Sequence, residues 1–257
     1  MRSGPAAAPD TEDEFFIGYE PPMPPRIAAF IRRAVIAIAG GGLVWAVTLG
    51  PSHVRLEGGT FEYGHPRRFS GTVVEAPVPA LQLDGNRGGT PWLLLVAPGK
   101  HGAAGAVRGL AGRHVTLTGT RIARAGQTMI EIQPASIAVG PPTAMVEVSA
   151  PGSGPVRLRG EIVDSKCFLG VMVPGDGKTH KECASLCLRG GIPPALFVQD
   201  RSGASSLLLV TGPSGEAVTN QALLVAGEAI ELTGTIARAG GWLIVRTDPA
   251  TWRTIGK

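Results

Sequence analysis

The hydrophobic pattern divides the chain into two unlike parts. Residues 34–54 form a long uncharged apolar run, with AVIAIAGGGLVWAVTLG at its core. At 1.5 Å per residue, about 20 helical residues cross a ~30 Å hydrocarbon layer. The run therefore predicts a transmembrane helix over residues 26–52. Beyond it the period shortens to two. Val115, Leu117 and Gly119 alternate with polar neighbours, as do Ile230, Leu232 and Gly234. Such alternation predicts short, half-buried strands.

Charge flanking the apolar run sets its direction. Arg26, Arg32 and Arg33 precede it, and only His53 and Arg55 follow closely. The positive-inside rule puts the N-terminus in the cytoplasm and the bulk on the outer face of the membrane, as a single-pass protein. Two other readings compete. The run is longer and less amphipathic than a buried soluble helix. A cleaved twin-arginine signal would start unusually late, and no good A-x-A site follows. Gly42, Ala46 and Gly50 share one face at i, i+4 and i+8, which suits close packing of a second helix in lipid. The leader, residues 1–25, is acidic and Pro-rich around Phe15, Phe16 and Tyr19. That cluster is expected to dock on a partner's cytoplasmic face or at the lipid interface.

The remainder repeats itself. HVTLTGTRIARAGQTMIEI at 114–132 nearly superposes on AIELTGTIARAGGWLIV at 229–245 with one residue dropped. PWLLLVAPGK at 91–100 corresponds to SLLLVTGPSG at 206–215, and FSGTVVEA at 69–76 to LRGEIVDS at 158–165. Three matches in one order mark a duplicated domain. Each copy reads as about five strands, one short helix and a closing hairpin turning at ARAG, the pattern of a small OB-like β-barrel. The fold class is mainly β, with a transmembrane helix before two such barrels, at 53–140 and 156–257. A Pro/Gly/Ser-rich linker at 141–155 joins them.

Composition agrees. The chain has 37 glycines and 22 prolines, with 5% aromatic and 17% charged residues, as short strands and turns require. Net charge is +4 and no basic run interleaves with aromatics, so no nucleic acid is expected as a partner. The chain lacks C-x-x-C-H, a Walker loop, G-x-S-x-G and H-E-x-x-H. His53, His65 and His101 read as solvated residues. Trp92, Trp242 and Trp252 read as barrel packing or edge residues.

The copies differ by one insertion. Residues 166–194, KCFLGVMVPGDGKTHKECASLCLRGGIPP, carry all three cysteines, Cys167, Cys183 and Cys187, together with His180. A segment gained by one copy of a duplicated scaffold is where new chemistry is sought. THKECASLCL at 179–188 predicts a helix capped by Thr179 with Glu182 at the capping-box position. His180, Cys183 and Cys187 then share one face, and Cys167 approaches from a strand end.

Asp164-Ser165-Lys166-Cys167, then Cys183 and Cys187, then Gly190-Gly191, resembles the DSxC…C…C…GG segment of poorly characterised exported bacterial proteins with an OB-like barrel. The resemblance covers about residues 156–245 and implies fold and compartment, without an activity.

Three readings of the cysteines stand open: a disulfide pinning the insertion, with Cys167 to Cys183 or Cys187 the easier bridge; a zinc or copper site using Cys167, His180, Cys183 and Cys187; and thiol–disulfide exchange, which lacks a C-x-x-C. The overall expectation is a non-catalytic, membrane-anchored accessory subunit of a bacterial inner-membrane, electron-transfer complex. Its partners would be integral membrane and exported subunits and the bilayer. A metal or haem carrier is the alternative, and a thiol oxidoreductase a weaker one.

Overall fold

The computed structural model describes residues 23–49, 58–84, 91–143 and 154–256. Phe15, Phe16, Tyr19, Gly50 and most of the 141–155 segment lie outside the described residues. The chain divides into two compact units, Met1–Arg55 and Leu56–Lys257.

In the first unit, helix α1 spans Pro25–Leu49, and none of its residues is buried. Its 25 residues give a length of about 37 Å, enough to span a membrane. Gly40, Gly41 and Gly42 face open space.

The second unit holds two closed five-stranded barrels. Strands β1 (Arg67–Val74), β2 (Ala80–Leu83), β3 (Trp92–Ala97), β4 (Arg113–Arg124) and β5 (Gln127–Ile132) form the first. The meander β1–β2–β3 is antiparallel, β3 runs parallel to β5, and the β5–β4 hairpin returns to β1. A short helix α2 (Ala104–Val107) lies between β3 and β4.

The second barrel repeats this order with β6 (Val156–Asp164), β7 (Pro194–Gln199), β8 (Ser205–Thr211), β9 (Ala229–Ala239) and β10 (Trp242–Thr247). Strand β8 is again parallel to β10, and β9 closes on β6. This is the OB-type order that the repeat predicted. The insertion contributes helix α3 (Lys181–Arg189) between β6 and β7. Helix α4 (Thr219–Leu224) takes the place of α2.

The residue dropped between the repeats moves a turn and leaves no bulge. The first hairpin pairs Arg124 with Gln127 and turns at Ala125-Gly126; the second pairs Ala239 with Trp242 and turns at Gly240-Gly241. Spatially, Ile122 therefore corresponds to Ala237, although sequence aligns it with Ile236. A one-residue shift sends a side chain to the opposite face of its strand. Ile122 and Ala237 both face the contact between the barrels, whereas Ile236 faces the second barrel's interior.

Each barrel fills its own interior, and a third hydrophobic core joins them. Val74, Trp92, Leu94, Val96, Ile122 and Met129 of the first barrel meet Val163, Phe168, Ala195, Leu209, Trp242 and Ile244 of the second. The contact obeys a pseudo-two-fold. Trp242 Nε1 donates to the carbonyl of Trp92 at 3.0 Å. Gln127, the counterpart of Trp242, donates from Nε2 to the carbonyl of Leu207, the counterpart of Trp92, at 3.0 Å. A duplicated domain has thus kept a self-complementary interface within one chain.

Candidate functional site

The site begins where β6 ends. Asp164 is fully buried, and its Oδ1 accepts the amide N–H of Cys167 at 2.8 Å. A carboxylate three residues before an amide caps a helical turn. Here it fixes a single π-helical turn, Cys167–Val171, that presents the Cys167 sulfur inward. The other oxygen, Oδ2, lies 3.0 Å from His180 Nε2, and His180 is buried. In the neutral tautomer that donates from Nε2 to this carboxylate, Nδ1 keeps a lone pair. This carboxylate–imidazole pairing orients histidine ligands in metal sites.

Helix α3 brings the other two sulfurs. It starts at Lys181 with His180 as its N-cap residue and makes no side-chain cap, so Thr179 does not cap it as the sequence predicts. The physical reason is that the His180 ring is drawn to Asp164. Ala184 and Leu188 enter the second barrel's core, whereas Cys187 faces the core between the barrels, buried, and Cys183 is half-buried.

Cys167 Sγ lies 3.9 Å from Cys183 Sγ and 3.8 Å from Cys187 Sγ. All three cysteines are free. Of the three open readings, the disulfide is not seen in the structure: a bridge needs about 2.05 Å. Sulfurs bound at ~2.3 Å to a tetrahedral zinc stand about 3.8 Å apart, close to what is seen. Two overlapping donor sets share Cys167: Cys167, His180 and Cys183, and Asp164, Cys167 and Cys187. In each, the donor atoms lie within 4.8 Å of one another. The four residues singled out from sequence thus gather around Cys167, with His180 and Cys187 in different sets, and Asp164, seen there only as part of a motif, joins them.

The first barrel supplies a residue that sequence reasoning missed. Lys100 Nζ lies 2.7 Å from Cys183 Sγ and 3.8 Å from Cys187 Sγ. The hydrogen bond to Cys183 raises the Lys100 ammonium above its ordinary pKa. The thiol of Cys167, donating to Cys187, lowers the Cys187 pKa, and the Lys100 charge adds to this. Cys167 itself is pushed up, first by that same hydrogen bond and then by burial.

Lys166 is the second cross-barrel cation, 2% exposed. Its ammonium pairs with Glu131 on β5 and donates to the carbonyls of Ala97, at 3.0 Å, and Gly99. Lys100 lies in the loop after β3 and Lys166 donates to its start, and this loop packs backbone to backbone on the end of α3. Gly102 N–H donates to the Gly190 carbonyl at 2.9 Å. A Cβ on Gly190 would stand 1.7 Å from the Lys100 carbonyl oxygen, and Gly191 holds a φ of +90° at the helix stop. The Gly-Gly pair is thus a docking surface for the first barrel. Gly190→Ala is expected to cost about 1–3 kcal/mol through overpacking, measured by urea unfolding of the detergent-solubilised chain.

Elsewhere, His65 and His101 are exposed. A Ser70, His114 and Asp84 group forms on the first barrel, with His114 Nε2 3.2 Å from Ser70 Oγ and 2.8 Å from Asp84 Oδ2. One nitrogen serves both partners, whereas a catalytic triad uses opposite ring nitrogens. This group is therefore a surface hydrogen-bond cluster. Trp92 and Trp242 belong to the contact between the barrels, and Trp252 packs on the second.

No family model matches this chain, and no curated protein matches it in sequence.

Proposed function

We propose that this chain is a membrane-anchored, non-catalytic accessory subunit that holds a soft metal ion, zinc or Cu(I), at Cys167, His180, Cys183 and Cys187. One observation carries the reading: the buried Cys167 sulfur sits at bonding-shell spacing from two further sulfurs, beside an imidazole oriented by a buried carboxylate. Thiolate and imidazole donors select these ions over magnesium or calcium. Burial of Cys167 and Cys187 counts against thiol exchange, which needs an accessible thiolate.

On this reading the anchor crosses a bacterial inner membrane with its N-terminus in the cytoplasm, and the barrels stand in the periplasm. Gly42 and Ala46, with Gly50, meet a partner helix, while Phe15, Phe16 and Tyr19 dock on the cytoplasmic side. The barrels cover an exported subunit of an electron-transfer complex. The resemblance to exported DSxC…C…C…GG proteins supports the compartment.

A carrier that delivers the ion is the second reading, favoured by the partial exposure of Cys183. Purification from native membranes separates the two. Stable co-purifying subunits indicate the accessory role, and a monomer that hands its ion to a chelator within minutes indicates a carrier.

Elemental analysis of the full chain, purified in detergent with thiols reduced, tests the site. About one zinc or copper per chain is expected, falling close to zero in Cys167→Ser, because Cys167 belongs to both donor sets. A reduced, folded wild-type chain that takes up neither ion refutes the proposal.

A further inference from the structure

Among the described residues, the candidate donor sets draw no residue from the barrel without cysteines, yet that barrel reaches into the site. Lys100 sits in the loop between β3 and the short strand His101–Gly102. The corresponding residue of the second copy, by the alignment of PWLLLVAPGK with SLLLVTGPSG, is Gly215. The lysine is therefore particular to the barrel that faces α3.

Its position is fixed from the backbone. The Gly102 amide is hydrogen-bonded to Gly190, and the Lys100 carbonyl stands where a side chain on Gly190 would be. The end of the sulfur-bearing helix and the lysine-bearing loop are thus held as one piece. The ammonium meets the half-buried sulfur, Cys183, at 2.7 Å and the buried one, Cys187, at 3.8 Å.

We propose that Lys100 is a positioning residue for the metal site, giving an N–H···S hydrogen bond and a counter-charge to the ligating sulfurs from the other barrel. The inference rests on the metal reading above. Three thiolates around a dication carry a net charge of −1, and around Cu(I) −2. In a partly buried pocket that charge needs a compensating cation, and hydrogen bonds to ligating sulfur tune affinity and electronic structure. Lys166 cannot serve, since its ammonium is committed to Glu131 and two carbonyls. Lys181, on α3 itself, is paired with Glu228 at 2.7 Å. Lys100 is the cation that contacts sulfur among the described residues. The ion then binds both barrels, one through ligands and the other through this contact.

Cobalt(II) titration of the full chain in detergent, under reducing and anaerobic conditions, tests the proposal. Wild type, Lys100→Met, Lys100→Arg and Lys181→Met are compared by their sulfur-to-cobalt charge-transfer bands, with zinc competition for affinity. Lys100→Met is expected to bind the same amount of cobalt with about 10–100-fold weaker affinity and a shifted band, as loss of an outer-shell partner does. Lys100→Arg is expected to recover part of both, and Lys181→Met to match wild type. Unchanged affinity and band in Lys100→Met overturn the inference, as does tighter binding, which would make the ammonium a competitor of the ion. Equal losses in Lys100→Met and Lys181→Met also overturn it, because they would report general charge. A wild type that binds no cobalt removes the metal reading itself, whereas an intact wild type with a neutral Lys100→Met removes only the role of Lys100.

Discussion

Lys166→Met is expected to destabilise the two-barrel unit by about 3–5 kcal/mol, the cost of removing one partner of a buried ion pair. Lys166 is 2% exposed and satisfies Glu131 and the carbonyls of Ala97 and Gly99 together. Without it, a largely buried carboxylate and two carbonyl groups lose their donor. For a unit of this size the midpoint of thermal unfolding should fall on the order of 10 °C. The double variant Lys166→Met/Glu131→Leu should recover most of the loss, because replacing both partners leaves no orphaned charge. A single variant as stable as wild type would mean that the pair does not hold the barrels together. The measurement is thermal unfolding of the full chain in detergent, followed by tryptophan fluorescence.

Trp242→Ala should produce a loss of similar size, about 3–5 kcal/mol, typical of truncating a fully buried large aromatic residue. Trp242 is 2% exposed in the core between the barrels, and its indole N–H satisfies the Trp92 carbonyl. Its pseudo-symmetric counterpart gives an internal comparison. Gln127→Ala removes the matching hydrogen bond but little apolar volume, so about 0.5–1.5 kcal/mol is expected. If the two variants cost the same, hydrogen bonding rather than burial dominates the contact. Trp242→Ala should also loosen Lys100 from the sulfurs, since the same interface carries the loop after β3. Weakened cobalt binding in that variant would show the coupling.

The long apolar helix, the mainly β character and the duplication were legible along the chain, and each for a local reason. A helix of span length is a matter of apolar run and charge within one segment. Strand alternation is a period of two, and a repeat needs only comparison of the chain with itself. The cysteine segment stood out because one copy has it and the other lacks it. The grouping of its side chains was partly legible as well, since His180, Cys183 and Cys187 fall within one helical stretch.

Other features depended on which faces meet. The sequence match of Ile122 with Ile236 is off by one in space, because the turn moved from Ala125-Gly126 to Gly240-Gly241. Thr179 looked like a cap because the capping-box pattern is local, and the competing pull of Asp164 on His180 acts across 16 residues. The segment at 141–155 reads as a linker between two barrels and gives no sign of the third core that joins them. Lys100 follows Pro98-Gly99 and has the appearance of an ordinary turn lysine, and its sulfur partner lies 83 positions away. Lys166 meets its carbonyl partners 67 and 69 positions away. Segment length, periodicity and repetition belong to the chain by itself. Which of its scattered lysines becomes a buried or sulfur-facing cation was decided only when the two barrels closed on each other, because that contact sets the burial and the partner of each charge.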